Sequence, residues 1–157
     1  MTLGEAERDR FDGLMVEALE ALPEGVRALL EEVPVIVEDE PEGWLLEELA
    51  RAWGEADTAS FREGLCEELC GLHTGTMITE RSVQHGVELP EEIRVFRRGV
   101  IAQAGGWDGE RGEDGVYEEI WVTLLHEIGH HFGLDEDDLE RLRSEEHTSE
   151  LQSRMFI

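Results

Sequence analysis

The sequence is poor in cysteine and contains no lysine, no asparagine and no long apolar segment. Its two cysteines cannot form a disulfide framework. No apolar run approaches the roughly 18 to 20 residues that cross a bilayer. The N-terminal segment has no basic stretch followed by an apolar one, as a secretory signal peptide has. These absences predict a cytoplasmic protein with no membrane partner.

Acidic residues greatly outnumber basic ones. Aspartate and glutamate total 39 against 13 arginines, which gives a formal net charge of −26. A chain with this charge is repelled by nucleic-acid phosphates and by anionic membrane surfaces, so we expect neither as a partner. The charge is more typical of a soluble, self-repelling surface than of a nucleic-acid mimic. It carries no information on the oligomeric state.

Apolar periodicity predicts several helices and a few short strands. The 157 residues suit one domain and can bury a core without disulfides. This mixture predicts an α+β domain with a polar, turn-rich segment at 71–86. Helical spacing occurs at 11–22, 44–53, 61–72 and, most clearly, 116–132, and the short apolar patterns of strands occur at 33–37 and 93–96.

The last segment of the chain differs from the rest. Residues 143–153 (RSEEHTSELQS) lack apolar periodicity and look like the translation of a widely used sequencing-adapter oligonucleotide. We therefore predict a domain over 1–142 followed by a non-native tail over 143–157, and we assign no ligand to the tail. Genomic DNA that encodes RSEEHTSELQS would contradict this interpretation.

The run HEIGH at residues 126–130 carries the clearest chemical signal. His126 and His130 are one helical turn apart, so both imidazoles project from one face of the predicted helix and can hold one zinc ion. Glu127 lies beside them, where its carboxylate can take a proton from water as a general base. The pattern predicts zinc as the cofactor, His126 and His130 as ligands and Glu127 as the catalytic residue.

A catalytic zinc site normally has three protein ligands, so a third residue is required. The spacing HExxHxxGxx-ligand places it at Glu136, because a turn at Gly133 brings the chain back toward the metal. Asp135 and Asp137 flank this position, and either of them, or a water molecule, is an alternative to Glu136.

At these residues the chain resembles the zincin-like minimal metallopeptidases, a group of small bacterial proteins. Three segments carry the resemblance, and together they cover most of the chain up to about residue 142. They are LPEGVRALLEEVPVIVEDEP, GLHTGTMITERSVQHGVELPEEIRVFRRG and HEIGHHFGLDEDDLERL. It implies a compact minimal zincin-like domain with a small mixed sheet, flanking helices and a central active-site helix under an edge strand. It also implies hydrolysis of peptide bonds in peptide or protein substrates. The family motif often has Asp where this chain has Glu136.

Other polar residues support weaker expectations. Residues 93–97 are a candidate edge strand for binding a peptide, with Arg94 and Arg97 directed outward. His85 and Arg81 are candidates for stabilising an oxyanion, although stabilisation of a turn is the favoured role.

Cys66 and Cys70 are spaced i, i+4 and are followed by His73. This spacing permits a second metal site, but it is more typical of small buried residues beside a turn. His131 is expected to pack or to support the metal ligands from behind, and Tyr117 is expected to pack rather than to stabilise an oxyanion.

Two other functions stay open. One is a non-catalytic zinc module, in which a protein carboxylate or the tail fills the open coordination position. The other is an acidic interaction protein with a fortuitous motif, which would bind no metal. Measurement of the metal content distinguishes the acidic interaction protein, which binds no metal, from the zinc peptidase and the zinc module.

Overall fold

Six helices and three short strands make up the part of the chain that the computed structural model describes, residues 3–74, 91–133 and 137. This composition confirms the predicted α+β class. The predicted tail over 143–157 lies outside the described residues. The helices are α1 (Glu5–Ala21), α2 (Glu24–Leu29), α3 (Gly43–Trp53), α4 (Ala59–Glu68), α5 (Arg97–Gln103) and α6 (Gly112–Phe132), and the strands are β1 (Val35–Glu38), β2 (Gly71–Thr74) and β3 (Glu92–Phe96).

The three strands form one mixed sheet in the order β1-β3-β2. β1 runs parallel to β3, with Val35 opposite Ile93, and β2 runs antiparallel to β3, with His73 opposite Ile93. All five residues of β3 are buried. The prediction that 93–97 is an edge strand is therefore wrong, because β3 has partners on both sides. Among the described strands, β2 is the edge strand on the side away from β1.

The sheet separates two apolar clusters. Ile93 and Val95 belong to the larger one, to which α1, α2 and α6 contribute. Phe96 belongs to the smaller one, to which α3 and α4 contribute. Side chains alternate between the two faces along a strand, so β3 supplies both clusters. Tyr117 and Trp121 of α6 are fully buried, which confirms the packing role expected for Tyr117.

Arg94 does not point outward as predicted. It is buried and forms ion pairs with Glu38 and Glu92, and its guanidinium lies 5.5 Å from the centre of the Trp44 ring. Burying this charge is tolerated because two carboxylates pair with it. Arg97 also differs from its prediction, since it begins α5 and is largely covered.

Asp39, just after β1, joins α1 to α5. Its carboxylate accepts a hydrogen bond of 2.6 Å from Arg8 of α1 and one of 2.9 Å from Arg97 of α5. Arg97 also donates to Asp12 of α1 at 3.0 Å. The hydrogen bond from Arg8 is the main cause that lowers the pKa of Asp39, with help from Arg97, although burial acts in the opposite direction.

The helix predicted over 61–72 is shorter than expected. α4 ends at Glu68, Leu69 adopts an extended conformation, and the following residues form β2. Gly99 of α5 packs on this junction so closely that a Cβ built on it would lie 1.9 Å from the carbonyl oxygen of Leu69. α4 therefore ends at the point where α5 packs against the chain.

α6 confirms the strongest helical prediction and begins four residues before it. Glu113 and Asp114 occupy its first turn, where negative charge interacts favourably with the helix dipole. Gly133 ends the helix in the left-handed conformation at φ 73°, as its position in the sequence predicts. Within the described ranges, no helix is both long enough and apolar enough to cross a membrane.

Candidate metal centre

The HEIGH residues occupy the last two turns of α6. His126 is half-buried and His130 is exposed, and the centroids of their rings are 6.2 Å apart with an angle of 53° between the ring planes. A zinc ion held about 2.0–2.1 Å from an imidazole nitrogen lies about 3 Å from the ring centroid. Tetrahedral coordination brings the two centroids to about 5 Å, so one metal ion fits between the rings after they close by about 1 Å.

The tautomer of His126 is set by its own helix. Its Nδ1 lies 3.2 Å from the carbonyl oxygen of Val122, one turn earlier. Because a carbonyl oxygen can only accept, this hydrogen bond requires the proton on Nδ1 and leaves the lone pair on Nε2. A metal-binding histidine is commonly oriented by such a bond from its other ring nitrogen. The donor set, imidazole nitrogens beside a carboxylate, is one that suits zinc.

Glu127 lies beneath the edge strand β2. A Cβ built on Gly71 would lie 3.2 Å from Cγ of Glu127, 2.6 Å from Cγ2 of Thr123 and 3.1 Å from the carbonyl oxygen of Arg94. The distance to Thr123 is shorter than a Cβ tolerates, and the other two leave very little room. Glycine at position 71 therefore allows the strand to approach the helix at the predicted catalytic residue.

Opposing influences act on the Glu127 carboxyl group. Burial raises its pKa, and this effect is the largest. The charges of His130 and His126 and a hydrogen bond from the backbone of His73 act in the opposite direction. The net result is a raised pKa, which means that the surroundings of the carboxylate favour its holding a proton.

His73 also lies beside the candidate site, and the sequence gives no indication of its contact there. It is buried on β2, and its Nε2 lies 2.5 Å from Nδ1 of His131. Burial lowers the pKa of His73, and the charges of His131 and His130 add to this effect. Four residues, GLHT, carry no strand pattern, and their pairing partner β3 begins only at residue 92. The contact therefore depends on tertiary pairing.

Several predicted residues fall outside the described part of the chain. They include the predicted third ligand Glu136 and its neighbour Asp135, as well as Arg81 and His85. Asp137 is described and exposed. Among residues 3–74, 91–133 and 137, no three His, Cys, Asp or Glu side chains form a group that could hold a metal ion. The third ligand therefore stays a prediction from the sequence.

The two cysteines have the surroundings of packed residues. Cys66 is buried, and both thiols are free. Cys70 Sγ lies 3.7 Å from Oε1 of Glu119. Burial and the nearby Glu119 carboxylate raise the pKa of Cys70 to about 12, which keeps its thiol protonated. Metal ligation needs the thiolate, so a packing role fits these cysteines better than a second metal site does.

Comparison with known proteins gives a family. A family model described as zincin-like metallopeptidase matches residues 30–146, which is more than half of the chain and includes the whole of the HEIGH run. The match confirms the resemblance seen in the sequence. No curated protein matches the chain.

Proposed function

Because the chain belongs to the zincin-like metallopeptidase family, we propose that it is a zinc-dependent peptidase that hydrolyses peptide bonds in peptide or protein substrates. The observation that carries this proposal is the arrangement at the end of α6. The tautomer of His126 places the lone pair on Nε2, His130 follows one turn later, and Glu127 lies beside them under β2.

In this proposal His126 and His130 hold the zinc ion, and Glu136 supplies the third protein ligand. Asp135, Asp137 and water are the alternatives for that third position. When bound, zinc lowers the pKa of water toward neutrality and polarises the carbonyl group of the substrate. The geometry at His126 supports the ligand role, because its tautomer is already the one that a metal needs.

Glu127 performs the proton transfers. Its carboxylate takes a proton from the attacking water and then gives this proton to the nitrogen of the leaving amine. The approach of β2 at Gly71 covers Glu127 from one side. This cover holds the carboxylate in one place and removes part of its contact with solvent.

The experiment that tests the proposal is the substitution Glu127→Gln. We expect the variant to keep stoichiometric zinc and to lose cleavage of a peptide library by at least about a hundredfold, because the amide cannot act as a base. Glu113→Gln is a matched control, since Glu113 is an exposed glutamate in the first turn of the same helix. We expect this control to retain full activity.

The same measurements separate the other readings. Zinc bound at one equivalent without any cleavage favours the non-catalytic zinc module. No bound zinc at all favours the acidic interaction protein. Equal cleavage by the wild type and Glu127→Gln means that a contaminating protease is being measured. The cytoplasmic location, the bacterial source and the absence of nucleic-acid or membrane partners stay predictions from the sequence.

A further inference from the structure

His73 connects the edge strand β2 to the end of α6 that carries the candidate site. Its residue surface is only 6% exposed, and its side chain lies against that helix. We propose that His73 is a positioning residue, which fixes the last turns of α6 against β2 through its side chain. The catalytic consequence of this link rests on the function proposed above, whereas the link itself does not.

The side chain of His73 forms a histidine pair. Its Nε2 lies 2.5 Å from Nδ1 of His131, and the two rings meet edge to face with their centroids 4.4 Å apart. One nitrogen must donate and the other accept, so the pair fixes how each ring holds its proton. The ring of His131 also meets Phe132 edge to face, at a centroid distance of 4.5 Å. His131 is therefore held from two sides, directly after the predicted ligand His130.

The strand that carries His73 also reaches the catalytic residue. Gly71, two residues earlier and so on the same face of β2, allows the close approach to Glu127 and Thr123. A single four-residue strand therefore contacts both Glu127 and the residue that follows His130.

The contacts on α6 form one stripe. Thr123, Glu127 and His131 are spaced four residues apart, so their side chains lie along one face of the helix, and β2 contacts all three. His126 and His130 form the neighbouring stripe, which carries the two residues that would hold the metal. Because β2 packs against the first stripe, its position sets the direction in which His126 and His130 point.

This link has a functional consequence because the end of a helix is its least constrained part. The last turn lacks hydrogen-bond partners for its carbonyl groups and frays unless other contacts hold it. His130 lies in that turn, and His126 and Glu127 lie in the turn before it. A displacement of about 1 Å can cost on the order of a hundredfold in rate. We therefore expect the histidine pair to affect turnover more than substrate binding.

The test compares His73→Leu, which keeps apolar bulk but removes the ring nitrogens, with His73→Gln, whose amide group can replace Nε2. In the zinc-loaded full chain, we expect His73→Leu to lower kcat about ten- to a hundredfold and to change KM by less than about threefold. His73→Gln should recover most of the loss. Zinc affinity, measured without substrate, should fall about tenfold in His73→Leu and recover in His73→Gln.

If His73→Leu does not fold, His131→Leu breaks the same pair from the helix side, where the residue is only half-buried. It should give the same losses. The proposal is overturned if the leucine variants keep the kcat and zinc affinity of the wild type. It is also overturned if His73→Leu and His73→Gln show equal losses, because the residue then acts through packing alone. If the wild type binds zinc but cleaves nothing, the proposed function fails, and the zinc affinities still decide the role of His73.

Discussion

At the scale of single residues, the third zinc ligand depends on one carboxylate. The spacing after HEIGH assigns it to Glu136, whereas the family motif often has the shorter Asp at this position. We expect Glu136→Ala to weaken zinc binding by at least about a hundredfold, because loss of a direct ligand should exceed the 10- to 100-fold cost of losing an outer partner. Glu136→Asp should retain binding, since it keeps the carboxylate.

Competition between the metal-free protein and a chelator measures these zinc affinities. Asp137→Ala is the comparison variant, because Asp137 is an exposed carboxylate next to the predicted ligand and one of the alternatives to it. We expect its affinity to equal that of the wild type. An unchanged affinity in Glu136→Ala would transfer the ligand role to Asp135, Asp137 or water.

The residues of the candidate site differ in how far the sequence predicts them. His126, Glu127 and His130 follow directly from spacing within one helix, and the hydrogen bond from His126 to Val122 is also local. His73 could not be assigned in the same way. Its contacts with α6 arise only after β2 has paired with β3, and no local pattern in the sequence records that pairing.

At the scale of elements, the separation between β2 and α6 is set by Gly71. We expect Gly71→Ala to lower peptidase activity about tenfold or more and to destabilise the fold by about 1–3 kcal/mol, because the added methyl group overlaps Thr123 and crowds the carbonyl oxygen of Arg94. The strand must then move away from Glu127. Thermal unfolding and cleavage assays measure the two effects.

Gly13→Ala is the control for this substitution. Gly13 lies on the exposed side of α1, and a Cβ built on it meets nothing within 4 Å. Alanine there should stabilise the fold by about 0.5–1 kcal/mol, since glycine is unfavourable inside a helix, and should leave activity unchanged. Wild-type activity in Gly71→Ala would show that the approach of β2 is not needed at the site.

The elements themselves were predicted unevenly, for a physical reason. α6 was predicted well because a long apolar period is a local property of the sequence. The helix predicted over 61–72 was too long, because Gly71–Thr74 pairs with β3 instead of continuing α4. The apolar alternation of β3 predicted a strand, but its central place depends on β1 and β2, which lie far away in the sequence.

At the scale of the whole molecule, arginines join elements within an acidic chain. Acidic residues outnumber the 13 arginines three to one, with 39 carboxylates in the sequence. Arg8 and Arg97 meet at Asp39, so α1 and α5 are joined to the end of β1. Arg98 of α5 binds Glu40 and Glu63, which joins α5 to α4. The ion pairs named here lie between elements distant in sequence, where they select the tertiary arrangement.

The ion pairs of Asp39 lead to a prediction of how the stability of the fold depends on pH. The pKa of Asp39 is lower in the folded protein than in the unfolded chain, whose value is about 3.9. Its contribution to stability is therefore complete above the unfolded pKa and is lost as the pH falls through the folded pKa. We expect Asp39→Asn to reduce the free energy of unfolding by about 1 kcal/mol at neutral pH, a modest value because solvent partly screens the pair.

Comparison of the two proteins over a range of pH isolates this contribution, because the repulsion among all the other carboxylates changes with pH in both. Denaturant unfolding should give a constant difference between wild type and Asp39→Asn above about pH 5, and this difference should shrink at lower pH. Asp57→Asn is the control, because Asp57 binds Arg62 only five residues away and joins no distant elements. We expect it to change stability less. A difference for Asp39→Asn that persists unchanged into strong acid would mean that the asparagine acts through packing and not through the lost charge.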